Sequence, residues 1–175
     1  MSLTPTRPFG YWIKGVASLI YHGYILVSDR STEAPNPANN QAVFYEATPQ
    51  YPKNQEPNLF GGLTPHKKEL KGAQIDNQQA RDVDIPLSPR NATKPCSAYI
   101  RQFDAINSAI TQQHIPYDYL AHGGTAGYNS NSYVRSLLAY SHLTLALSLQ
   151  QIDPQLPSAA VGYEMVIPLK GFSAS

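Results

Sequence analysis

Four small polar residues, Asn129, Ser130, Asn131 and Ser132, end a Gly-rich loop and hand over directly to a run of apolar residues at helical spacing. Val134, Leu137, Leu138, Ser141, Leu145 and Leu149 fall on one stripe, which predicts a helix from about 131 to 150, stopping before Pro154. Most of the remaining positions are also uncharged, so such a helix belongs at the centre of the fold, and the other elements must be arranged to cover it. Asn and Ser are the residue types that cap a helix start, because a short side-chain oxygen accepts from the N–H groups that the first turn leaves unpaired. The same position has a second use. The positive end of the helix dipole favours negative charge and suits an attacking oxyanion or a bound acyl oxygen.

With 175 residues the chain suffices for one domain, 1–175, with a sizeable core. Thirteen Lys plus Arg stand against 12 Asp plus Glu, and 14% of residues are charged. No basic footprint for nucleic acid or an anionic membrane is present, so partners are to be recognised by shape and local polarity. Fifteen Pro and 11 Gly imply long irregular connections, while 12 Tyr and 5 Phe supply the apolar bulk to pack them. Cys96 is the single cysteine, which excludes an internal disulfide framework and a Cys-rich zinc site. Lys14 interrupts the apolar run from Tyr11 to Val27 before it reaches membrane-spanning length, and no export leader is visible. The expectation is a soluble protein without a transmembrane segment, cytoplasmic or secreted by a leaderless route. The sequence does not specify an oligomeric state.

The aromatic cluster Phe9, Tyr11 and Trp12 reads as an anchor for the N-terminal segment. The clearest strand follows at about 20–28, where alternation puts His22, Tyr24 and Leu26 on one face and Tyr21, Ile25 and Val27 on the other. Both faces are apolar, as in a central strand. A loop rich in Pro and Asn leads to a second strand at 41–48, with Phe44, Glu46 and Thr48 sharing a face. Further strands are predicted at 58–63, 80–87 and 160–167, with Pro86 placing its strand at a sheet edge or at its own end. Tyr99, Phe103, Ile106 and Ile110 predict a helix over 96–113, ended by Pro116. The fold class is therefore α+β, an antiparallel sheet packed on a central helix.

A histidine strand followed later by an Asn-nucleophile-x-x-aromatic helix start resembles the circularly permuted branch of the NlpC-type papain-like superfamily, which includes lecithin retinol acyltransferase-like and PPPDE-type proteins. More narrowly, Tyr21-His22-Gly-Tyr-Ile-Leu-Val27, the helix Phe103 to His114, Ile115-Pro116-Tyr117 and Asn129-Ser-Asn-Ser-Tyr133 look like a bacterial group with an Asn-Ser-Asn-Ser/Thr-Phe signature. The likeness covers residues 20–48 and 99–140. It implies a permuted papain-like fold with Ser130 on the family's catalytic Cys and His22 on its general base; Glu46 is our candidate for the orienting third residue. Ser130 departs from the pattern: a thiol with a pKa of roughly 8.5 is partly ionised at neutral pH, whereas a Ser hydroxyl needs a well-aligned base.

The function implied is a hydrolase or acyltransferase acting on an amide or ester bond. Asn129, Asn131, Tyr24, Tyr128 and Tyr133 are candidate substrate-binding residues, and the N–H groups of the helix start are the candidate oxyanion hole. The alternative is an inactive binding module that holds a peptide, glycan or lipid fragment in the same cleft, with Tyr117 and Tyr119 adding to its walls. His22 as a core histidine and Glu46 as a solvated edge residue are the structural readings of the same positions. His66, His114, His122 and His142 do not fall at a metal-ligand spacing, and the loop at Gly123, Gly124 and Gly127 lacks the Lys of a phosphate cradle. No metal or cofactor is expected.

Overall fold

The computed structural model describes residues 9–16, 20–28, 41–50, 61–71, 83–89, 96–145 and 161–174. Among these the elements run β1 (Phe9–Val16), β2 (Ile20–Ser28), β3 (Gln41–Gln50), β4 (Gly62–Lys71), β5 (Val83–Pro89), α1 (Cys96–Gln112), α2 (Ser130–Tyr140) and β6 (Leu143–Leu145). The strands form an antiparallel sheet in the order β4-β3-β2-β1-β5-β6, so the architecture is α+β.

β2 is an inner strand, as its two apolar faces require. It pairs with β1 from Phe9↔Val27 to Val16↔Ile20 and with β3 from Tyr24↔Glu46 to Ser28↔Ala42. Alternation separates its faces. Ile25, Val27, Tyr45, Ala47 and Leu63 join the main core with both helices, whereas Tyr24 stacks against Phe44 at 4.7 Å outside that cluster. α1 buries Tyr99, Phe103, Ile106 and Ile110, the stripe its spacing predicts. In α2 every residue except Arg135 is buried, and it packs on β2 and β3, which makes it the central helix.

Five boundaries depart from the sequence reading. The N-terminal aromatic cluster, read as an anchor, lies in a strand of its own, β1, which pairs with β2 and β5. The strand expected at 58–63 lies at Gly62–Lys71; residues 58–60 are outside the described set. Its Pro65, Lys67 and Lys68 argue against a central strand, but β4 is a sheet edge, where Pro and charge are tolerated and discourage further pairing. The strand expected at 80–87 runs Val83–Pro89, and Pro86 sits where the ladder to β1 ends and that to β6 begins.

α2 stops at Tyr140, a full ten residues short of the expected end. Ser141 donates its N–H to Leu137 O and Leu138 O, and His142 takes a left-handed φ of 57°, which turns the chain out of the helix into β6. Of the segment expected as a strand at 160–167, residue 160 lies outside the described set, residues 161–164 are a turn, and among the described residues the chain after it pairs with no strand. Its backbone groups are taken instead by side chains of α2, described next.

Candidate functional site

The loop before α2 is built to deliver residue 129 at a fixed point. Tyr128 N–H donates to Pro116 O at 3.1 Å and Asp118 N–H to Tyr128 O at 2.9 Å, so the incoming strand of the loop lies against the outgoing one. Gly127, with φ 119°, permits this approach, because a Cβ there would strike Pro116 O. The chain therefore turns tightly into the helix at this glycine.

Asn129, not one of the serines, is the cap. Its Oδ1 accepts from Asn131 N at 3.0 Å and Ser132 N at 3.1 Å. That fixes the orientation of the amide: with Oδ1 facing two donors, Nδ2 must face acceptors. It donates to Tyr119 O at 3.0 Å and Val161 O at 2.8 Å. Asn131 Nδ2 donates to the same Val161 oxygen at 3.0 Å. Two amide N–H groups from residues on either side of Ser130 thus converge on one carbonyl oxygen. Ser130 itself is 3% exposed and is not part of this clamp.

The polar face of α2 continues the pattern. Ser132 Oγ donates to Gly162 O at 3.0 Å; Ser136 Oγ donates to Ser132 O at 2.7 Å and accepts from Ile167 N at 2.8 Å. Tyr140 hydroxyl donates to Ile167 O at 2.8 Å and accepts from Leu169 N at 3.0 Å. Sequence reasoning saw the small polar residues at 129–132 but missed Ser136 and Tyr140. The spacing 132, 136, 140 is one residue per helical turn, a signal that was legible.

The helix-start N–H groups proposed as an oxyanion hole are in part occupied: those of Asn131 and Ser132 point at Asn129 Oδ1. The candidate binding tyrosines are mostly interior. Tyr133 is fully buried, donates its hydroxyl to Asn107 Oδ1 at 2.6 Å, and burial holds its pKa well above the usual phenol value. Tyr24 is buried on Phe44, and Tyr128 is buried with its hydroxyl accepting from Gly124 N at 3.2 Å. Tyr117 is buried and meets the half-buried Tyr119 edge-on at 5.1 Å. Glu46 is half-buried opposite Tyr24 in the register. His22 lies opposite Lys14 in β2, the strand on which α2 packs; its side chain falls outside the described residues, as do those of Leu26 and Cys96.

One histidine not assigned a role by its spacing is oriented by a carboxylate. His122 Nδ1 lies 2.6 Å from Asp118 Oδ2, which also accepts the His122 N–H at 2.8 Å, while Asp118 Oδ1 accepts Leu120 N–H at 3.0 Å. Partial burial opposes ionisation of Asp118, but these hydrogen bonds outweigh it and hold the carboxyl below its ordinary value. The His122 imidazole is largely exposed, on the loop that Asn129 holds through Tyr119 O.

Among the described residues no three His, Cys, Asp or Glu side chains gather as a metal site, and no helix is long and apolar enough to cross a membrane. No protein-family model, curated protein or solved structure matches this chain.

Proposed function

We propose that the start of α2 is an acyl site and that the protein is a hydrolase or acyltransferase acting on amide or ester bonds in a permuted papain-like arrangement. The observation that carries this reading is the convergence of Asn129 Nδ2 and Asn131 Nδ2 on one carbonyl oxygen, on either side of Ser130 in the chain. Paired, pre-oriented donors aimed at a single carbonyl oxygen are what an acyl transfer site needs, because they strengthen as charge develops on that oxygen. In this scheme Ser130 Oγ attacks the carbonyl carbon while His22 takes its proton and returns it to the amine or alcohol that leaves as the amide or ester bond breaks. Water or an acceptor nucleophile, deprotonated by His22, then takes the acyl group and frees Ser130, with Glu46 orienting the imidazole throughout. The Asn amides then take the part first given to the helix-start N–H groups, those of Asn131 and Ser132 being held by the cap.

The test is labelling with a fluorophosphonate probe followed by mapping of the adduct. Labelling at Ser130 that is lost in Ser130→Ala and falls at least a hundredfold in His22→Ala supports the enzyme, in line with the usual contribution of a general base. His122→Ala run beside it separates the two imidazoles. A protein that is folded yet unlabelled under all conditions removes the catalytic reading.

A second reading has its own support. The clamp is already filled by Val161 O, and the cap consumes two of the helix-start donors, as in a binding module that never needed a nucleophile. Retained ligand binding in Ser130→Ala without any labelling of the native protein would favour it.

A further inference from the structure

We infer that the polar face of α2 is a groove for a peptide strand, occupied by the chain's own segment 161–172 as a built-in competitor. The contacts specify the chemistry. Going from the start of α2 to its end, the helix side chains meet Val161 O, Gly162 O, Ile167 N, Ile167 O and Leu169 N, all of them backbone groups. Ser136 Oγ accepts from Ile167 N, and the Tyr140 hydroxyl both donates to Ile167 O and accepts from Leu169 N, so this end of the groove reads the alternation of N–H and carbonyl that only a peptide presents. Between these contacts Tyr163, Ile167 and Leu169 are buried in the main core, and Phe172 meets the Tyr140 ring edge-on at 5.6 Å. A fatty acyl chain would leave the buried amide and hydroxyl groups unpaired, and a glycan would put hydroxyls into the apolar seats.

Selectivity is set at Gly162. Its φ is 84°, and a Cβ there would collide with Ala121 Cβ and come within 2.8 Å of Asn129 Oδ1 and 2.9 Å of Ser132 Oγ. A competing peptide therefore needs Gly directly after the clamped carbonyl, then a turn like that closed by Met165 N–H on Gly162 O at 3.1 Å, then apolar residues at the places of Ile167 and Leu169. Naming a peptide as substrate rests on the acyl-site reading above; the groove does not.

The probe is a fluorescein-labelled peptide copying residues 161–172, titrated into the full-length protein and followed by anisotropy. Loosening the segment in cis by Gly162→Ala should raise peptide affinity at least tenfold over the native protein, and Leu169→Ala should do the same through the apolar seat. The Gly→Ala version of the peptide should not bind, and Ser130→Ala added to either variant should leave affinity unchanged. In the native protein, saturating peptide should speed amide exchange at Ile167 and Leu169, a readout that does not depend on either variant folding. Equal affinity of native and loosened proteins, together with unchanged exchange, overturns the groove. Peptide binding in a protein whose Ser130 takes no fluorophosphonate label sinks the enzyme and keeps the groove. Fluorophosphonate labelling of Ser130 that the peptide neither slows nor accompanies does the reverse.

Discussion

Asn129 carries two jobs that point in opposite directions along one amide. The oxygen caps α2, and the nitrogen ties the cap to Tyr119 and Val161. Replacement by Asp separates them, because a carboxylate caps as well as an amide but cannot donate. If Asn129 were a cap alone, Asn129→Asp would be neutral; with Tyr119 O and Val161 O each losing one donor and facing a charge, we expect it to cost about 2 kcal/mol in urea unfolding. Asn129→Ala loses the cap as well, adding about 1 kcal/mol. The sequence marked all four residues of 129–132 as capping types. It did not say which one is the cap, since that depends on where Tyr119 O and Val161 O lie, residues far apart in the chain.

At the scale of elements, α2 illustrates two periodicities in conflict. Its apolar stripe at 134, 137, 138, 141, 145 and 149 is helical, yet Leu143, Leu145, Leu147 and Leu149 also alternate strictly with Thr144, Ala146, Ser148 and Gln150. The chain takes the second pattern from Leu143, where it pairs with β5 through Pro89↔Leu143 to Leu87↔Leu145. Sheet hydrogen bonds to β5 are available only in the folded molecule, so tertiary context overrides the stripe. His142, at φ 57°, makes the switch. We expect His142→Gly to relieve a left-handed non-Gly residue, worth about 1 kcal/mol. The readout is a melting temperature raised by roughly 3 °C for a chain of this size. Ser136→Ala tests the other side of α2. It leaves the buried Ile167 N–H without its acceptor, and should cost about 2 kcal/mol while preserving helix content by circular dichroism.

For the whole molecule, the loop that sets the start of α2 has a pH limit. Asp118 is held below the ordinary carboxyl pKa of about 3.9 by its bonds to His122 and Leu120, which exceed the opposing effect of burial. A depressed carboxyl stabilises the fold fully above its unfolded value and loses that contribution as pH falls through the lower folded value. Amide protection at Leu120 and His122 should therefore hold down to about pH 4 and fall below it, and Asp118→Ala should lack protection throughout. By itself the sequence determined the α+β class, the inner position of β2, the apolar stripe of α1 and the capped start of a buried helix. Each follows from local periodicity or residue type, which the chain carries wherever it is placed. Only the tertiary structure decided the edge role of β4, the early end of α2, and the seating of segment 161–169 on Asn129, Asn131, Ser132, Ser136 and Tyr140. Those depend on which backbone groups meet across long separations, and an unpaired buried carbonyl or N–H is satisfied by whatever donor or acceptor the finished fold brings to it.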